Sequence, residues 1–222
     1  MLLCGCGPAM IDTPGRTLAL PAGDVAVPVH SMAERRFLTV VHQRYDFSCG
    51  SAALATLLRF HYGNDATEQS VFMGMWQNGD RAQISKLGFS LLDMKRYLAA
   101  HGVRAEGYVV TLDDVARTRV PGIALINVRG YRHFVVVKGV EGGQVLVGDP
   151  SLGIRLIDRK SFGAAWNGIL FALVDRVEHG KRSFGREAEW ALVARSRATL
   201  AMEPVSVQAL ALVRAQPFPT EL

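Results

Sequence analysis

After Pro121 the chain changes its period, and this constrains its fold more than any other feature. Residues 123–128, 133–140, 144–148 and 154–158 are strand-length apolar runs, separated by Arg129-Gly130, Gly142-Gly143 and an Asp149-Pro150 turn. Gly-rich and Asp-Pro pairs of this kind reverse a chain tightly. Such short joints connect antiparallel neighbours, since a parallel pair needs a crossover of about a dozen residues or more. One further run, 169–174, is expected to close the sheet.

Upstream of that point the period is helical. A helix over 50–62 carries Ala53, Leu54, Leu57 and Leu58 on one face, with Ser48 as its N-cap and Gly63 as its stop. Further helices are expected at 68–76, capped by Thr67, and at 91–101, where Ser90 and Asp93 form a capping-box-like pair and Gly102 ends the run. A short β-rich run at 37–41, a strand at 104–110 and a helical turn at 112–117 complete the reading. Helices first and a meander second is α+β segregation: an N-terminal helical layer packed on a C-terminal antiparallel β-sheet.

With 222 residues, 49% of them hydrophobic, the chain can bury one main core with appendages, and residues 36–175 form that domain in this reading. Residues 1–35 make a targeting segment and an arm, which Pro14, Gly15, Pro21, Gly23 and Pro28 should keep extended. Residues 176–222 begin as a solvated basic linker, RVEHGKRSFGR. An amphipathic helix through Glu187, Trp190, Val193 and Leu200 follows, and then a Pro-containing tail.

Composition excludes several function classes. The net charge of +5 is spread without a Lys/Arg stripe, so no nucleic-acid partner is expected. Three cysteines cannot build a disulfide framework, and no Cys/His spacing suits a metal, so no cofactor is expected either. No internal run is long enough to cross a membrane. Leu3-Cys4-Gly5-Cys6 resembles the end of a bacterial lipoprotein signal, although the apolar run before it is shorter than an h-region of roughly 7–15 residues. The expected place is the bacterial periplasm, with membrane contact only through such a signal or a lipidated Cys6.

The chemistry sits at element boundaries. Cys49 falls at a helix N-terminus, where the dipole favours an anionic sulfur and a thiolate is the nucleophile. His133 opens an apolar strand, and Asp149 ends the next one, so adjacent antiparallel strands bring a base beside a carboxylate able to orient it. Gln43, six residues before Cys49 on the loop entering the helix, can pair its amide with the Cys49 N–H as an oxyanion hole. Each has a plainer alternative: Cys49 as a small buried hydrophobe, His133 as a hydrogen-bonded core residue, Asp149 as a turn former and Gln43 as a surface residue. The four together in the order Gln, Cys, His, Asp favour thiol catalysis. His42 is a second candidate base, and Tyr45, Phe47 and Tyr131 are candidate cleft residues.

The segments QRYDFSCG, AALATLLRFHYG, GFSLLDMKRYL, HFVVVKGV and VLVGDPSLG resemble the bacteriocin-processing, double-glycine leader peptidase family, over about residues 36–174. That resemblance implies a papain-like fold, Cys49 as nucleophile, His133 as base, Asp149 as orienting acid and Gln43 in the oxyanion hole. The best-known members are fused to an ABC exporter and carry an Asp before the cysteine, where this chain has Ser48. Stand-alone members are associated with export systems, including those for secreted functional amyloid. The implied partners are an exported peptide or protein substrate and secretion-system components. Two other readings use the same residues: a papain-like module that only docks secretion substrates, and a papain-like acyltransferase of the transglutaminase or arylamine acetyltransferase kind.

Overall fold

The structure is a computed structural model that describes residues 15–20, 23–28, 31–45 and 47–202. The chain divides into two compact units, Met1–Arg35 and Arg36–Leu222. In the first, strands β1 (Gly15–Leu20) and β2 (Gly23–Pro28) pair antiparallel with Leu20 opposite Gly23, and a short helix α1 (Met32–Arg35) follows. The expected extended arm is thus a hairpin. Thr17, Leu18, Val25 and Val27 are good strand residues, and Pro28 sits at the strand end, where a missing N–H costs least. Cys4, Cys6 and the tail after Met202 lie outside the described residues.

The second unit opens with helices α2 (Cys49–Tyr62), α3 (Glu68–Asn78), α4 (Arg81–Leu87) and α5 (Leu91–Ala100). Strand β3 (Ala105–Val109) and helix α6 (Leu112–Thr118) lead into β4 (Gly122–Val128), β5 (Tyr131–Glu141), β6 (Gln144–Asp149) and β7 (Gly153–Asp158). Helix α7 (Arg159–Ala165), strand β8 (Trp166–Leu173) and helices α8 (Val177–Ser183) and α9 (Glu187–Met202) complete it. Thr67 and the Ser90–Asp93 pair cap as expected, Thr67 in a capping box with Ser70, and Gly63 ends α2 in the left-handed conformation.

All strands of the main sheet pair antiparallel, in the order β3-β8-β4-β5-β6-β7. The last strand therefore does not close an edge as expected; it inserts between β3 and β4. Helix α7, anchored by the fully buried Phe162, carries the chain from β7 to the free side of β4. Residues 37–41 are not a strand, because their backbone is used one group at a time: Val41 N donates to Thr56 Oγ1, and Thr39 O accepts from Lys138 Nζ.

The period of two along β5 sorts its side chains between two cores. Phe134 and Val136 meet Leu54, Leu57 and Leu58 of α2, whereas Val135 and Val137 meet Leu112, Val115 and Phe162 on the other face. Both faces are covered, so the strand reads as an uninterrupted apolar run. Helix α2 is buried from Gly50 through Leu58, not on one face only, because helices pack around it as well as the sheet. Each of its leucines contributes about 1.5–3 kcal/mol by burial.

The basic segment after Arg176 is not a solvated linker. It forms α8, with Ser183 and Phe184 buried, and α9 then covers a third cluster in which Val193 meets Val40, Leu146 and Ile154. Lys138 on β5 is fully buried and pairs with the buried Glu189 of α9 at 2.7 Å. Helix α4 had no expected counterpart; the side chain of Asp80 starts it by accepting from Ala82 N and Gln83 N.

Candidate active site

The loop before Cys49 is held from two directions. Gln43 N donates to Pro150 O at 3.0 Å, which ties it to the turn after Asp149. From α3, the buried carboxylate of Glu68 accepts from Arg44 N at 2.9 Å and from Ser48 Oγ at 2.5 Å. Ser48 occupies the N-cap position of α2, yet its side chain makes no capping bond: its hydroxyl points to Glu68 as donor, and its oxygen accepts from Tyr45 N at 3.2 Å instead of from the helix. The first-turn N–H groups of α2 are thus left uncapped by Ser48, beside a half-buried free thiol at Cys49. The next residue has to be small: a Cβ at Gly50 would stand 3.1 Å from both Met94 Cε and Phe89 Cβ.

His133 lies near the start of β5 and is 6% exposed. Its Nε2–H donates to Asp149 Oδ1 at 2.8 Å. Pairing of Val136 with Gly148 brings the end of β6 alongside the start of β5, which is how two distant positions meet. Asp149 is 1% exposed, and such a buried anion is tolerable only with several donors. Oδ1 also accepts from Ser151 N at 2.9 Å and Leu152 N at 3.2 Å, and Arg155 Nη2 meets Oδ2 at 2.9 Å. Burial works against its charge, but the hydrogen bond and charge of His133, followed by Arg155 and the Ser151 N–H, hold its pKa below the usual carboxylate value.

Burial likewise opposes a charge on His133. The hydrogen bond with Asp149, and the electrostatic influence of Asp149 and Cys49, outweigh that and lift its pKa to about 9. With Nε2 taken by Asp149, the buried Nδ1, which has no hydrogen-bond partner, is the ring nitrogen left for the Cys49 sulfur. An imidazolium at neutral pH beside a thiol at a helix N-terminus is the arrangement that stabilises a nucleophilic thiolate.

The structure brings Cys49, His133 and Asp149 together. Gln43 is near but turned: its Nε2 donates to Tyr45 O at 3.1 Å, while its buried Oε1 has no hydrogen-bond partner. His42 is exposed against Phe37, with ring centroids 4.3 Å apart. Sequence reading missed Glu68 and Arg155. Glu68 is a first-turn acid of α3, a position with no local sign of a distant partner, and only the place of Arg155 on β7 opposite Val147 shows that it can reach the end of β6.

Two hollows flank the pair. One, of about 810 Å³, runs from Cys49 and Phe47 along α4 and the start of α5, past Leu87, Leu92 and Phe134. The other, of about 730 Å³, lies on the side of His133 and Asp149. Tyr131 borders both and stacks on the His133 ring with centroids 5.9 Å apart. Tyr45 lines neither; it stacks against Phe47 from outside.

The chain is 46% identical over 157 residues to "Probable functional amyloid protease FapD" of Pseudomonas fluorescens, covering 70% of each protein. It is 44% identical over 168 residues to the protein of the same name from Pseudomonas aeruginosa, covering 74% of each. The peptidase domain of Streptococcus ComA, a bi-functional ABC transporter, has the same fold: TM-score 0.52 at 20% identity, over 61% of this chain and 97% of that domain. Residues 38–178, from just after the start of the second unit to the first residues of α8, match the family model, and the chain belongs to the Peptidase C39 family of cysteine peptidases.

Proposed function

We propose that this peptidase cuts an exported polypeptide in the bacterial periplasm, after a pair of small residues such as Gly-Gly, with Cys49, His133, Asp149 and Gln43 as its working residues. The observation that carries this is His133, held at Nε2 by a buried carboxylate and facing a helix-start thiol. Cys49 Sγ attacks the carbonyl carbon, and the tetrahedral oxyanion lies toward the uncapped N–H groups of α2 and, after a side-chain rotation, the Gln43 amide. As the C–N bond breaks, His133 Nδ1 gives its proton to the leaving amine. The same nitrogen then takes a proton from water, whose oxygen attacks the thioester and restores the thiol. Asp149 holds the imidazole and its charge throughout.

The aromatic rings of Phe47, Phe89, Tyr131 and Phe134 border the cleft that contains Cys49, and this supports a preference for residues without bulk next to the bond. The two relatives named as probable functional amyloid proteases support an amyloid protein as substrate; that it is exported, with secretion-system components as further partners, is part of the proposal. Among the described residues no helix is long and apolar enough to cross a membrane. We place membrane attachment in the N-terminal segment, through Cys6. The test is to incubate the purified protein with peptides differing only before the bond and to identify the product termini by mass spectrometry. Cleavage after Gly-Gly but not after Val-Leu is expected; equal cleavage of both ends the specificity claim, and a native protein found solely in the cytosol ends the periplasmic one.

A further inference from the structure

We propose that the hollow beside His133 and Asp149 is a second substrate subsite, which takes apolar side chains from the segment that follows the scissile bond. It rests on the peptidase reading above and adds a specificity that lies outside the cleft containing Cys49. The direction of the substrate comes from the chemistry. The acyl half stays bonded to Cys49 Sγ, so the residues before the bond lie on the Cys49 side. The amine half must receive its proton from His133 Nδ1, so the residues after it leave across the imidazole. The two hollows divide in the same way: the larger touches Cys49 and not His133, and the other touches His133 and Asp149 and not Cys49. Tyr131, stacked on the His133 ring, is the wall common to both, so a bound chain passes from one into the other along it.

The lining states what the subsite accepts. The half-buried Ile157 and Ala165, backed by the buried Ile126 and Phe162, form an apolar floor, and Val128 and Leu152, 47% and 52% exposed, form an apolar rim. At about 730 Å³ it lies within the range of roughly 300–1,000 Å³ typical of small-ligand sites. Its charged neighbours are Arg129, Arg155, the His133 imidazolium and Asp149, and both Asp149 oxygens already have partners. A Lys or Arg entering there would lose its hydration and meet two guanidinium groups with no free anion to offset them. An apolar residue would instead gain from burial.

The experiment uses the full chain and peptides identical up to the cut, with Leu, Gly or Lys filling the first three positions after it. We expect kcat/KM for the Leu peptide to exceed that for the Lys peptide by about tenfold or more. Ala164→Trp, an exposed change on α7 at the hollow, should bring that ratio close to one. It should leave turnover of the Gly peptide within about twofold, which also shows that the variant is folded. Equal kcat/KM for Leu and Lys peptides, or a Leu preference that Ala164→Trp does not move, overturns the subsite while leaving the peptidase reading intact. No cleavage of any peptide, with Cys49 unreactive to iodoacetamide, overturns both.

Discussion

At the scale of single residues, the site depends on charges that a polar interior holds in place. Cys49→Ala removes the sulfur but little volume, so turnover should fall to background while the melting temperature changes by no more than a few degrees; wild-type turnover in that variant would end the thiol mechanism. The ion pair of His133 and Asp149 has a definite pH signature. The folded pKa of His133 is raised from 6.5 to about 9, so its stabilisation is complete below about pH 6.5 and is lost as pH rises through about 9. That of Asp149 is lowered from 3.8, so its share is present above that value and lost as pH falls below it. Asp149→Asn should therefore cost most stability between about pH 4 and 6.5, and its deficit should shrink toward pH 10. Urea midpoints of the two proteins across this range test it, and parallel curves would show that the pair is not charged in the folded state.

At the scale of elements, the turn from β6 to β7 sets where Asp149 stands. Gly153 has φ +78, and a Cβ there would lie 2.6 Å from Arg36 O and 2.5 Å from Arg36 Cβ. Because backbone cannot yield as a flexible side chain does, Gly153→Ala should cost about 2 kcal/mol or more, the left-handed conformation accounting for about half of it. Activity should fall further than stability alone explains, since Ser151 and Leu152, whose N–H groups hold Asp149, belong to the same turn. Chemical denaturation and turnover measured together separate the two effects. The same element logic explains the freed start of α2: Ser48 would ordinarily cap it, but Glu68 from α3 takes the hydroxyl instead.

At the scale of the whole molecule, the elements after β8 complete the interior. Lys138 is fully buried, and its partner is Glu189; its own carbonyl accepts from Gly185 N at 2.7 Å. A chain ending at Phe184 would leave that ammonium without its carboxylate and expose the cluster around Leu146 and Ile154, so it should lose about 3–5 kcal/mol. Lys138→Met in the shortened chain should recover part of the loss, as seen in thermal unfolding. If the shortened chain unfolds at the wild-type temperature, α9 is not part of the core. Local pattern was enough for α2, α5, the meander from β4 to β7 and the order of Cys49, His133 and Asp149, because periodicity, caps and short turns act between near neighbours. It was not enough for β8, which inserts rather than closes, for α7 and α8, or for the turned loop at residues 37–41, since each of these is decided by a surface that only exists once the sheet has formed. The sequence by itself determined which residues could do thiol chemistry and along which strands they lie. Only the tertiary structure decided where the Gln43 amide points, which acid holds the Cys49 loop and that Lys138 is inside, because those outcomes depend on partners far away in the chain, whose positions no local rule contains.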